Sequence, residues 1–278
     1  MTLFDDEPID ATGIEAAAGN ARKPWTSPSR LSTFLQCPRK YDFQHLKKLP
    51  TRPSPHLDLG SNVHAALRDW LRLPPGKRTW DGLLEFYRAA WRTNRPAFVA
   101  RSRDELREWG ERGIAMLRRF VDEAPPDLLP LAIEKWVGID FGDVVVRGKV
   151  DRVDGLPDGS LRIVDYKTGR FPKDPARTRA EDLAAAVYAR GSSTDFVGAP
   201  VADVEYLYLD TMERLTFTID DAWQAQRETA VVTLARSALA AEKSGDLPPV
   251  PGVLCAWCDF KARCPEGQAF LDARAGRG

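Results

Sequence analysis

The chain has 278 residues, 43% of them hydrophobic, with 40 basic and 40 acidic residues and a formal net charge of zero. That is enough apolar sequence for a good core, as one large domain or a domain with an insertion. No apolar run is long enough to span a membrane and no signal-peptide-like hydrophobic region is present, so a cytoplasmic protein without membrane contact is expected.

Residues 1–20 hold five acids and no base, are polar and lack periodicity. A flexible acidic tail is therefore expected over 1–24, followed by a single domain over 25–278. Within it the pattern predicts a helical part at 27–124, a sheet core at 130–220 and a C-terminal helix and cysteine segment at 221–278. Ser27 should cap a helix over 27–46, with Pro38 bending it or ending its first part. Helical patterns follow at 61–73, 81–99 and 104–123, with apolar stripes such as Val63/Leu67/Trp70/Leu71 and Leu83/Phe86/Tyr87/Ala90. Tryptophans and tyrosines on these stripes read as core rather than as platforms for bases. Strands are expected at 131–140, 143–153, 161–166, 204–209 and 214–219. A helix at 181–191 falls between the third and fourth, and a long helix at 221–243 comes last. The class is α/β: a small mixed sheet with flanking helices and a helical insertion before the core. No G-x-x-x-x-G-K-[ST] loop is present, so the chain carries no helicase motor of its own.

Residues 148–169, GKVDRVDGLPDGSLRIVDYKTG, carry the strongest chemical signal. The Pro-Asp-Gly turn at 157–159 joins two strands as a hairpin. Side chains alternate along a strand, so Asp165 and Lys167 share a face while Tyr166 points away. With Asp151 on the preceding strand, two carboxylates and an ammonium converge on a small volume suited to a hard divalent metal beside a developing anion. A lone Asp-x-Lys is more often a surface ion pair. Here apolar residues (Val144, Val145, Val146; Leu161, Ile163, Val164) lead into each acid, and charges at the end of apolar strands need a partner or a metal.

Cys255, Cys258 and Cys264 form C-x2-C-x5-C, and the fourth cysteine is Cys37. In a cytosolic protein, clustered cysteines point to metal ligation rather than disulfides, and zinc and a [4Fe-4S] cluster are both compatible with four thiolates. Cys37 and Cys255 lie 218 residues apart, so such a site would staple nearly the whole chain. Charge is also unevenly spread: residues 21–120 carry net +12 and residues 121–278 net −7. A basic half facing an acidic, metal-binding half suits a polyanionic substrate.

The runs G-K-V-D-R-V-D and I-V-D-Y-K-T-G resemble the nuclease core of the PD-(D/E)xK superfamily, in its RecB-like branch. The resemblance implies a restriction-endonuclease-like fold. Asp151 and Asp165 would be ligands of Mg²⁺ or Mn²⁺, with the Tyr166 backbone carbonyl as a further oxygen ligand, and Lys167 would be the catalytic lysine. The segment LDLGSNVHAAL resembles the family's G-x-x-x-H motif, with Gly60 before a helix and His64 in its first turns as a metal ligand. Glu134, in the strand before the hairpin, takes the place of an acid that contacts metal-bound water. EDLAAAVYARG resembles the family's Q-x-x-x-Y helix and supplies Tyr188, but Ala184 stands where the glutamine belongs; Glu181 or Asp182 is the candidate substitute.

The cysteine layout is similar to that of the iron–sulfur members of the family, among them AddB-type nuclease domains and CRISPR-associated adaptation nucleases. This favours [4Fe-4S] over zinc. The N-terminal segment resembles the family's DNA path, with Arg30, Arg39, Lys40 and Tyr41 as contacts. Implied is a metal-dependent DNase acting on single-stranded or frayed DNA ends as an exonuclease in repair or recombination, with a separate helicase or repair protein as a candidate partner. The alternatives are a DNA-end-binding module with weak or lost cleavage and a zinc-stapled scaffold.

Overall fold

The computed structural model describes residues 23–93 and 102–276. The expected acidic tail, up to residue 22, and the end of the expected helix at 81–99 lie outside the described residues. The spine of the fold is strand β3 (Val145–Gly155). Strand β2 (Ala132–Asp140) runs antiparallel along one edge of it, Ala132 against Val153 through Asp140 against Val145. The other edge is shared. Strand β1 (Trp25–Thr26) pairs in parallel with Val145 and Val146, and β4 (Leu161–Lys167) pairs antiparallel with Arg152–Gly155. Beyond β4 come β5 (Val201–Tyr208), parallel to it, and β6 (Glu213–Thr218), antiparallel to β5. The result is a six-stranded mixed sheet.

Helices cover both faces, which is why β4 reads as nearly continuous apolar sequence. Helices α3 (Pro55–Leu71), α4 (Trp80–Thr93) and α5 (Arg103–Glu123) pack on the face that carries Val164, Tyr166, Leu207 and Leu209. Their stripes, including Val63, Leu67, Trp70, Leu83 and Tyr87, are buried there as the 3.6-residue period predicts. On the opposite face, α7 (Ala184–Asp195) covers Val150, Ile163 and Tyr206. Helices α1 (Pro28–Gln36) and α8 (Asp221–Ser244) meet beside it through Leu31, Val187, Val231 and Ala235. Asp220 caps α8 by accepting from the Trp223 amide at 2.8 Å, and Gly245 closes it at φ 73°.

Three elements depart from the sequence expectation. The segment 27–46 is not one helix: it breaks at Cys37, and Pro38 opens a new turn, α2 (Pro38–Tyr41), that continues as a π-helical turn over Asp42–Leu46. Helix α3 starts at Pro55, with proline at N1, rather than at 61, so Gly60 lies inside the helix and His64 beyond its second turn. The expected helix at 181–191 is split into α6 (Pro175–Glu181) and α7, because Asp182 leaves the helical path and accepts from the amides of Ala184 and Ala185 at 2.8 and 2.7 Å.

Candidate metal site in a strand fork

Strands β3 and β4 stay paired only as far as Arg152 opposite Val164. Past that point β3 follows β2 and β4 follows β5, and the next residue on each strand is an aspartate: Asp151 on one, Asp165 on the other. The parting leaves the Tyr166 amide without a partner on β3, and Asp151 Oδ2 accepts it at 2.7 Å. The fork is thus closed by the same carboxylate that the sequence marks as a metal ligand.

Two further groups enter the fork. His64 reaches in from α3, stands edge-on to the Tyr166 ring at 6.0 Å and places Nδ1 3.2 Å from Asp151 Oδ1. Gly60 makes this approach of α3 possible, since a β-carbon there would lie 3.1 Å from the Thr168 hydroxyl just past Lys167. Glu134 enters from β2. Its neighbours pair Ile133–Arg152 and Lys135–Val150, so it stands opposite Asp151, and its φ of 55° is left-handed. That conformation costs a non-glycine residue about 1–3 kcal/mol. The donor atoms of His64, Glu134 and Asp151 lie within 4.8 Å of one another. Two carboxylates and an imidazole fit Mn²⁺ or Mg²⁺ in donor chemistry. Lys149 pairs with Glu134 at the rim.

Asp165 and Lys167 form an ion pair on the face covered by α7. Burial pushes the Asp165 carboxyl up despite the lysine beside it. Burial also opposes the charged forms of Lys167 and His64, but the carboxylates around them win and both pKa values are raised. Tyr188 on α7 stands beside Asp165, and its hydroxyl is held well above the usual range by burial and by the surrounding acids. Gly148 makes room for that ring: a β-carbon there would meet it at 2.8 Å.

Lys167 Nζ lies 4.3 Å from the centre of the Tyr206 ring, and the Tyr206 hydroxyl donates to Asp182 Oδ2 at 2.8 Å. Asp182 therefore ties the start of α7, where Ala184 replaces the expected glutamine, to the ring that carries the lysine. Of the two acids named as substitutes, Glu181 pairs instead with Arg177 on the exposed face of α6.

The sequence reading missed Tyr206, Lys149 and Arg152. Arg152 donates to the Tyr166 hydroxyl at 2.7 Å and pairs with Asp154, fixing the outer side of the fork. The N-terminal candidates are placed differently from a DNA surface in one respect. Tyr41 is fully buried and donates to Glu242 of α8, and burial with that carboxylate pushes its hydroxyl up to about 12. It supports Arg30, which donates to it at 3.2 Å, rather than facing a substrate. Arg39 donates to the Leu247 carbonyl at 3.0 Å and Lys40 to Gln36.

The four cysteines come together. Cys37, at the α1–α2 break, lines one cavity with Cys255, Cys258 and Cys264, along with Arg39, Lys40, Lys261 and Phe260. All four are free thiols. Val250 N and Gly252 N point at the sulfurs of Cys37 and Cys255, each at 3.4 Å, and the Cys264 thiol donates to Glu266. No three of these sulfurs lie within 4.8 Å of one another. Among the described residues no helix is long and apolar enough to cross a membrane.

A family model described as the PD-(D/E)XK nuclease superfamily matches residues 26–265. The gene 69 protein of Mycobacterium phage D29 is 28% identical over 192 residues, spanning 59% of this chain and 70% of that protein. Among solved structures, a candidate exonuclease from Eubacterium rectale superposes with a TM-score of 0.56 at 17% identity, covering 85% of this chain and 87% of that one. At that identity the match bears on the fold, a restriction-endonuclease-like mixed sheet flanked by helices.

Proposed function

The chain belongs to the PD-(D/E)XK nuclease superfamily, and we propose that it is a Mg²⁺- or Mn²⁺-dependent DNase of the RecB-like, iron–sulfur type that trims single-stranded or frayed DNA ends. The observation that carries this reading is the fork, where His64, Glu134 and Asp151 meet beside the Asp165–Lys167 pair. His64, Asp151 and Asp165 would hold the metal together with the Tyr166 carbonyl, and Glu134 would act through a metal-bound water. A bound Mg²⁺ or Mn²⁺ would supply Lewis acidity at a phosphate oxygen and lower the pKa of water. Lys167, kept charged by its carboxylate neighbours, orients the attacking water and offers a cation to the developing negative charge. Tyr188 stands beside the Asp165 carboxylate on the α7 side.

The four cysteines line one cavity, and the choice of a [4Fe-4S] cluster over zinc there rests on the resemblance of their layout to the family's iron–sulfur members. Amides aimed at two thiols and the nearby cations of Arg39, Lys40 and Lys261 suit an anionic, thiolate-bound group. The preferences for single strands and for ends, a role in repair or recombination, a helicase partner, and a cytoplasmic site rest on the family resemblance.

The test uses anaerobically purified protein and end-labelled single- and double-stranded DNA. Degradation should require Mn²⁺ or Mg²⁺, stop with chelator and be lost in Asp165→Ala. Tight DNA binding without cleavage by the wild type would instead support the end-binding alternative. A colourless preparation holding zinc and neither iron nor sulfide would overturn the cluster assignment.

A further inference from the structure

Most tryptophans of the helical layer are packed inward; Trp70, for example, is 7% exposed. Two on the sheet are not. Trp25 is 42% exposed and Trp136 is 54% exposed. Trp25 pairs with Val145 and Trp136 with Lys149, and directly opposed residues share a face of a sheet. Residues 145, 147, 149 and 151 alternate onto that same face. The face therefore carries, in order along β3, Trp25, Arg147, Trp136 with Lys149, and then Asp151 with Glu134. Trp136 stands about 7 Å from the metal site along the strand, two residues at ~3.3 Å each.

Arg147 joins the two rings. Its guanidinium carbon lies 4.0 Å from the centre of Trp25 and 5.5 Å from that of Trp136, and Arg30 approaches the Trp25 ring at 5.6 Å. Buried or paired arginines usually face carboxylates. Among the described residues neither Arg147 nor Arg30 forms an ion pair, and Arg147 Nε is buried without a hydrogen-bond partner. Arg147 thus has no carboxylate partner, and it lies between two exposed aromatic rings on the strand that leads to the fork.

We infer that Trp25, Arg147 and Trp136 form a stacking track for the bases of single-stranded DNA, leading along β3 into the metal site. This deepens the nuclease reading and rests on it. The exposed parts of the rings offer bases a π-surface and the arginines offer the phosphates counter-charges, the combination by which single strands are held without sequence readout. A duplex keeps its bases stacked inside and presents no free face to these rings, so the track selects single strands over duplexes.

The test is fluorescence anisotropy of the full chain with labelled oligothymidylate, an abasic strand of the same length, and duplex, in EDTA so that cleavage does not intervene. Trp136→Ala and Trp25→Ala should each raise Kd for oligothymidylate by roughly fivefold to a hundredfold, and by less than twofold for the abasic strand and the duplex. Trp136→Phe, which keeps a ring, should recover most of the affinity. Unchanged affinity in the double Trp→Ala variant, or an equal loss on the abasic strand, would overturn the track. If wild type shows the predicted binding pattern yet hydrolyses no DNA with Mn²⁺, the track stands and the nuclease reading fails. If wild type hydrolyses DNA while the tryptophan variants keep its Kd and KM, the nuclease reading stands and the track fails.

Discussion

The strand fork and the cysteine cavity are both candidate metal sites, but they are built in opposite ways. Asp151 and Asp165 are 14 residues apart on one hairpin, and the sheet places them. Around them the groups hold one another: Asp151 accepts from the Tyr166 amide, Asp165 pairs with Lys167, and Lys167 lies over the Tyr206 ring. The cavity joins residues 218 positions apart, and it is crossed by contacts between distant segments, among them the Phe43–Phe260 ring pair and the Arg39 amide on the Pro248 carbonyl. Arg39 reaches the Leu247 carbonyl, Arg52 pairs with Asp259, and single amides point at sulfurs. The fork is organised by the sheet, whereas a ligand held by the four cysteines would tie the two ends of the chain together. Damage to the first should remove chemistry and spare structure; damage to the second should remove structure first.

The largest separation is expected from single ligand changes. Asp165→Ala should lower DNA cleavage by a hundredfold to a thousandfold or more, the scale on which one preorganised electrostatic group acts, while the melting temperature stays within a few degrees of wild type. Cys258→Ser should do the reverse in order. Iron content and the melting temperature should fall together, limited proteolysis should cut near α1 and α2 or after α8, and activity should follow the loss of folded protein. If Cys258→Ser protein kept its melting temperature and protease resistance, the contrast between the two sites would collapse.

A smaller effect should separate Asp182 from its neighbour. Asp182→Asn or Tyr206→Phe should reduce kcat by about tenfold with KM little changed, because both act on the position of Lys167 rather than on substrate affinity. Glu181→Ala should leave kcat as it is. Equal losses from Glu181→Ala and Asp182→Asn, measured in steady state, would remove the brace from the account.

The smallest stability effect is expected at Glu134. Asparagine tolerates left-handed backbone better than glutamate, so Glu134→Asn should melt at or above the wild-type temperature while losing activity and Mn²⁺ affinity. A clear drop in melting temperature would mean that the strained residue supports the fold rather than the site.

Much of this was legible in the sequence where the signal is local. The hairpin follows from two-residue alternation and a Pro-Asp-Gly turn, and the helical stripes follow from their period. The cysteine quartet and His64 are spacing patterns of residues with few other uses. What was not legible depends on contacts between distant segments. Tyr206 stands beside Asp165 only because β5 runs parallel to β4 in one register. Tyr41 is buried because α8 returns to offer Glu242. Glu134 reads as a strand charge, and its left-handed backbone carries no sequence mark. The two-residue β1 is too short to show a period, yet it presents Trp25. Helix α7 was expected two to three residues too early because Asp182 caps the helix instead of extending it.

The central claim is that the fork holds the metal and Lys167 performs a separate part of the chemistry. Lys167→Ala tests it most directly, with Mn²⁺ binding by calorimetry and degradation of end-labelled single-stranded DNA measured on the same preparation. The account predicts that the variant binds Mn²⁺ within a few-fold of wild type and that its cleavage rate falls at least a hundredfold. Cleavage at the wild-type rate would contradict it.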